Sequence, residues 1–258
     1  MRNILYTCLF LFCCFSMTGK VPSKQKIRLT ENWEYLKGDL GGIWEAVRPA
    51  SPGNPETVPV WQKVTLPHCF NAEDAVDPDV NYYQGPGWYK TLLTVDNPYA
   101  DGRIVLDFEG AGQKTKVYIY TTLVGEHVGG YDEWSVDITE AVNSFMADDQ
   151  LMKRFKGKIP LSVRCDNSRD LEMIPSDLSD FNLYGGLYRY LNLVYLPKAS
   201  FELIRLEPAL SADRKEGTVK VKASFYNPED IRKANVTVAI YDAEHKQIYS
   251  QTVQNILP

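Results

Sequence analysis

Apolar residues alternate with polar ones in one short run after another along this chain, and few folds accept that pattern. Tyr89, Thr91, Leu93 and Val95 share one side of a run. Ile104, Leu106 and Phe108 do so in the next, Val117 and Ile119 in a third, and Leu161, Val163 and Cys165 in a fourth. Alternation with period two sends successive side chains to opposite faces of a strand. Such runs, parted by Gly, Pro and Asn/Asp, predict antiparallel sheets packed face to face, an all-β sandwich. Trp33 and Tyr35 share a face of the opening segment Arg28–Lys37. Two stretches read differently. Residues 38–60 carry Pro49, Pro52, Pro55 and Pro59, which exclude a central strand and predict a loop. Asp137 with Glu140 three residues on, ahead of Ala141 and Val142, has the spacing of a capping box and predicts one short helix.

The pattern restarts near Leu196–Ala199. Phe201–Leu206, Thr218–Tyr226, Asn235–Tyr241 and Gln247–Val253 read as four strands joined by charged or Pro-containing turns. An immunoglobulin-like sandwich needs about seven. The expectation is a first β-domain over 27–198 and a truncated second one over 199–258, which makes the chain a fragment or one completed by another chain.

Ahead of the first strand, the apolar run Ile4–Phe15 follows Arg2. It is too short to span a bilayer and has the proportions of a signal-peptide core, so residues 1–19 read as a leader. Export to the periplasm or cell surface follows. A lipid anchor stays open, because Leu11 and Phe12 before Cys13 and Cys14 make a poor lipidation box. Beyond the leader stand Cys69 and Cys165. Cys165 continues the alternation into a sheet core; a Cys69–Cys165 bridge is left open. His68, His127 and His245 are scattered, so no metal site and no cofactor is expected. A net charge of −5 with no basic run excludes a nucleic-acid partner.

The stretch Ser179–Arg189, SDFNLYGGLYR, carries the most chemistry. Gly185 and Gly186 permit a tight turn ahead of a strand, which places Asp180, Phe181 and Tyr184 at a sheet's rim. A carboxylate between aromatic faces suits a sugar, with hydroxyls to the acid and C–H faces to the rings. The same residues suit a buried turn with core aromatics.

Three further stretches stand in order with it: LPHCFNAEDA (66–75), YYQGPGWYKTLLTV (82–95) and VGEHVGGYDEWSVDIT (124–139). Together the four resemble the amino-terminal sugar-binding domain of glycoside hydrolase family 2, the family of β-galactosidases, β-glucuronidases and β-mannosidases. The resemblance implies a galactose-binding-like jelly-roll β-sandwich followed by an immunoglobulin-like β-sandwich. It implies that catalysis in the parent protein is retaining and belongs to two Glu residues on an (α/β)₈ barrel, about 5 Å apart. No residue of this segment is expected to be catalytic, and the segment by itself is expected to be inactive. Asp180, six residues before Gly186, takes the role of a carboxylate sent toward the substrate. Asn81 takes that of a loop amide, with Asp79 and Tyr83 as neighbours. Trp134, close to Gly129 and Gly130, is the candidate exposed aromatic.

The implied partners are a β-galactoside-like carbohydrate and the catalytic barrel, with a homo-oligomer left open. A stand-alone carbohydrate-binding module and the product of a disrupted gene are the alternatives. Departures from the family pattern are Tyr120-Thr121-Thr122 where Asn-Gly is common, predicting a longer or different turn, Tyr190 in place of Asp, and Cys69 after Pro-His. Asp77, Asp79 and Asn81 open like a calcium loop, but Tyr82 and Trp88 stand where Gly and Glu are needed. His68 and His127 read as structural, Trp88 and Tyr89 as core, and Arg189 as a pin for the turn through carbonyls or a carboxylate.

Overall fold

The computed structural model describes residues 10–14, 26–48, 59–74, 76–174, 182–226 and 234–256. In chain order the first strands are β1 (Phe10–Cys14), β2 (Lys26–Arg28), β3 (Trp33–Lys37), β4 (Gln62–Val64) and β5 (Pro86–Leu93). Then come β6 (Arg103–Phe108), β7 (Lys114–Ile119), β8 (Thr122–Val128), β9 (Trp134–Asp137), β10 (Ile159–Asp166) and β11 (Leu191–Leu196). The last are β12 (Ser200–Leu210), β13 (Gly217–Tyr226), β14 (Ala234–Tyr241) and β15 (Gln247–Ile256). The helices are α1 (Trp44–Val47), α2 (Thr139–Met146) and α3 (Asp149–Arg154).

The chain groups into two compact units, one of residues 24–99 and 103–196 and another chiefly of 197–258. The first is a jelly-roll β-sandwich. One sheet runs β4-β3-β5-β10-β7-β8 and the other β2-β11-β6-β9. All the strand pairs are antiparallel. Period-two alternation fills the space between them. Trp33, Tyr35, Tyr89, Val117, Ile119, Leu161, Val163 and Cys165 come from the six-stranded sheet, and Leu106, Phe108, Leu191, Leu193 and Tyr195 from the four-stranded one. α2 buries Val142 and Phe145 in the same core.

Four local expectations shift. Asp137 does not cap α2 through the capping box; its carboxylate accepts from the Thr139 amide and hydroxyl, and Ile138 holds the cap position. A second helix, α3, follows, capped by Asp148, which accepts from the amides of Gln150 and Leu151. The loop 38–60 contains the single turn α1. The hairpin between β7 and β8 is not longer: Ile119 pairs with Thr122, leaving two residues, with Tyr120 at φ 52°. The Tyr120 ring meets Phe145 and Phe155 edge-on, contacts that offset a left-handed backbone usually left to Gly or Asn.

In the second unit β12 pairs with β13, and β14 with β15. Phe10–Cys14, which reads as part of a leader outside the fold, lies antiparallel to β14 with Phe10 opposite Tyr241 and Cys14 opposite Thr237. An open strand edge is a template for any apolar, β-prone run of chain, and FLFCC is such a run.

Candidate functional site

The Gly-Gly turn is sewn between two other segments by backbone hydrogen bonds. Gly112 and Gly186 exchange N–H···O bonds of 3.0 and 3.3 Å, Phe70 N–H donates to Gly185 O at 3.1 Å, and His68 N–H donates to Leu187 O at 2.8 Å. Such close approach explains the glycines. A Cβ on Gly185 would sit 2.1 Å from the Phe70 ring, and one on Gly186 2.3 Å from the Tyr89 hydroxyl. Gly186 also has φ +100°, open only to a residue without Cβ.

Three buried asparagines, none singled out by the sequence, lock the turn to its neighbours. Asn71 Nδ2 donates to Asn182 Oδ1 at 2.9 Å and to Leu183 O at 2.8 Å, while Asn71 Oδ1 accepts from Gly185 N–H at 2.9 Å. Asn182 Nδ2 returns a bond of 3.1 Å to Asn71 O. Asn167 Nδ2 bridges Tyr83 O at 2.9 Å and Leu183 O at 2.8 Å, and its Oδ1 accepts from Gly85 N–H at 2.9 Å. An amide offers two donors and an acceptor with two lone pairs, so it can satisfy several buried backbone groups at once. Loops 68–74, 81–87 and 182–187 therefore form one rigid rim. Each Asn directly follows or lies inside a motif already noted (HCFN, the Cys165-Asp166-Asn167 strand end, SDFN), which was the available signal.

Asp180 and Phe181 lie outside the described residues. Asp79 and Asn81 are exposed on the 76–81 loop, where Asp77 Oδ1 accepts from Asp79 N–H at 3.0 Å. Tyr83 is a framework residue: its hydroxyl donates to Pro86 O at 2.8 Å, its N–H donates to Asp74, and its ring meets Phe70 edge-on under the Lys37 ammonium. Burial pushes its phenol up from the usual value. Trp134 is not an exposed platform. Its ring is stacked on Phe108 with centroids 4.1 Å apart and on His127 at 4.7 Å, so both neighbours use its faces. His127 in turn lies 3.1 Å from Asp132, which lowers the Asp132 carboxyl.

Arg189 pins the turn through carbonyls, donating to Glu109 O and Tyr131 O at 3.1 and 3.2 Å. Tyr188 donates its hydroxyl to Gly130 O, and burial pushes its phenol up to about 12. Tyr184 and Tyr131, 45% and 41% exposed, lean on Tyr188 with centroids 6.3 and 6.2 Å away. They form the aromatic part of the rim and were missed as a group in the sequence. Cys69 and Cys165 are both free thiols: Cys69 Sγ donates to Asn71 Oδ1 at 3.2 Å, and burial pushes Cys165 up to about 12. Among the described residues no group of His, Cys, Asp or Glu could hold a metal ion.

The rim of the jelly roll thus presents exposed aromatic and polar side chains on loops held together by buried hydrogen bonds. The family model for the sugar binding domain of glycosyl hydrolases family 2 matches residues 35–197. The chain belongs to glycosyl hydrolase family 2. It is 30% identical over 229 residues to a putative β-glucuronidase of Formosa agariphila, covering 88% of this chain and 25% of that protein. A solved β-glucuronidase of Parabacteroides merdae is 75% identical with a TM-score of 0.86, covering 90% of this chain and 30% of that one. Bacteroides uniformis β-glucuronidase 3 is 57% identical with a TM-score of 0.83, covering 90% and 29%. The chain thus spans about a quarter to a third of the length of these relatives.

Proposed function

We propose that this chain is the amino-terminal, non-catalytic region of an exported family 2 β-glucuronidase, and that its rim helps hold the sugar. One observation carries the choice of substrate class: 75% identity over 90% of the chain to a β-glucuronidase. A β-galactoside-like ligand, the expectation from Asp180, gives way in this reading to a β-glucuronide. The two glutamates of a retaining mechanism belong to the remainder of the parent protein, as does the catalytic domain.

Asp180 stands two residues before Asn182, which is locked to Asn71, and in this reading its carboxylate accepts hydrogen bonds from sugar hydroxyls. Asn81 and Asp79 contribute from the neighbouring loop, whose base is tied to the same network through Tyr83 O and Gly85 N–H. Export rests on the apolar run Ile4–Phe15.

The test uses the full-length parent with p-nitrophenyl β-glucuronide and β-galactoside. Turnover of the glucuronide is expected to exceed that of the galactoside by at least a hundredfold. A preference for the galactoside overturns the reading. Asp180→Ala is expected to lower kcat/KM at least tenfold with melting temperature unchanged, an effect of the size of one hydrogen bond to a charged group. Equal losses of activity and stability would make Asp180 a turn residue only.

A further inference from the structure

A cavity of about 1050 Å³ opens on the six-stranded sheet, and none of the three rim asparagines lines it. Its floor is set by strand register. Lys63 stands opposite Glu34, Glu34 opposite Lys90, and Lys90 opposite Ser162, a row across β4, β3, β5 and β10. Their neighbours Trp33, Tyr35, Tyr89, Leu161 and Val163 fill the core, so this row occupies the sheet's other face. Ala46–Arg48 and Phe155 with Lys158 supply the walls. Arg154, donating to Val47 O at 2.7 Å, ties these walls together.

Two features of the lining bear on what it could hold. Ser162 is 1% exposed and its hydroxyl has no hydrogen-bond partner, although an unpaired buried hydroxyl is destabilising. The charges are also unbalanced. Arg48 pairs with Glu45 at 2.7 Å, and Lys90 lies 3.5 Å from Glu34 with its ammonium over the Trp61 ring. Lys63 and Lys158 have no carboxylate within ion-pair distance among the described residues. Among the described residues the cavity thus presents two ammonium groups without an ion pair, two carboxylates, Glu31 and Glu34, that can accept from hydroxyls, and a hydroxyl in want of a partner.

We propose that this cavity binds an acidic saccharide, a sugar ring bearing a carboxylate or sulfate, with Lys63 and Lys158 on the anionic group and Ser162 and Glu34 on ring hydroxyls. An anion alone would not engage Glu34, and a neutral sugar would leave the two ammonium groups unused. Burial lowers the Lys90 pKa against the pull of Glu34, in keeping with a recessed floor.

The test is calorimetric titration of the protein with four probes: unsulfated chondroitin disaccharide, its 4-sulfated form, cellobiose and inorganic sulfate. Either chondroitin disaccharide is expected to bind at least tenfold tighter than cellobiose and than sulfate. Lys63→Ala and Lys158→Ala are each expected to weaken that binding about tenfold, the range of one charge-assisted contact, with melting temperature unchanged. Ser162→Ala is expected to leave the free protein at least as stable while lowering the shift in melting temperature that the disaccharide produces. Comparison of the two chondroitin probes assigns the anionic group. Binding that the lysine substitutions leave intact, or cellobiose binding as tightly, overturns the proposal; sulfate matching the disaccharides reduces the site to an ion site and overturns it too. Asp180→Ala, which addresses the rim, is expected to leave this binding unchanged, so the two readings fail separately.

Discussion

Asn71 and Asn182, 111 residues apart in sequence, hold one another by reciprocal amide bonds: Asn71 Nδ2 to Asn182 Oδ1 at 2.9 Å, and Asn182 Nδ2 to Asn71 O at 3.1 Å. Asn71 is 1% exposed, so no water replaces these bonds when the side chain is cut away. Asn71→Ala leaves the Gly185 N–H and Asn182 Oδ1 without a partner, while Leu183 O keeps its bond from Asn167 Nδ2 and Asn182 Nδ2 its bond to the main-chain carbonyl of residue 71. Each unpaired buried group costs about 1–3 kcal/mol, so a loss of about 2–5 kcal/mol is expected in urea unfolding. Asn71→Asp keeps the acceptor for Gly185 but removes both donors, and is expected to be destabilising as well.

The turn's two glycines fail for different reasons, and substitution separates them. Gly185→Ala meets chiefly the Phe70 ring, a side chain that can be shortened, with Asn167 Cγ next at 3.0 Å. Phe70→Leu is therefore expected to recover part of the melting temperature lost by Gly185→Ala. Gly186→Ala meets a φ of +100°, the Tyr89 hydroxyl and the His68 main-chain oxygen at 2.9 Å, with Phe70 only third at 3.2 Å, and the same Phe70→Leu change is expected to recover little of it. Differential scanning calorimetry of the two double variants gives the comparison.

What could be read from the sequence divides along the range of the interactions. Alternation is local, and Leu161, Val163 and Cys165 are core residues as their spacing indicates. The all-β class follows from the same signal. The rim wiring is not local: Asn71 and Asn167 are ordinary polar residues until Leu183 and Gly185 arrive beside them through the sheet topology. Trp134 was misread for a related reason. Its position near a Gly-Gly pair suggests exposure, but Phe108, its register partner on β6, and His127 on the other sheet decide what its faces touch. Helix α3 escaped notice because its cap, Asp148, lies directly behind another helix and its six residues bury none of their own number.

Those stacked rings make Trp134 a test of structure against binding. Trp134→Ala removes face-to-face contacts with Phe108 and His127 and is expected to destabilise by about 3 kcal/mol. In the full-length parent it is expected to leave KM for a β-glucuronide unchanged at a temperature where the variant is folded. Asn81→Ala, at an exposed position, is expected to do the reverse: no change in melting temperature and a rise in KM of several-fold. A rise in KM for Trp134→Ala without loss of stability would return that residue to the binding site.

His68 gives the fold an acid limit. Its Nδ1 lies 2.8 Å from the Tyr89 hydroxyl, its ring leans on Tyr35 at 4.9 Å, and burial lowers its pKa below the usual 6.5. The folded protein therefore takes up this proton at lower pH than the unfolded chain does. The contribution to stability is whole above about pH 6.5 and declines as pH falls from there toward the folded pKa, because protons in that window bind the unfolded state first. Urea unfolding between pH 7.5 and 5 is expected to show this loss. His68→Gln, which cannot be protonated, is expected to be less stable at pH 7.5 yet to lose less between the two values. A variant whose slope matches the parent's would assign the acid sensitivity to other groups.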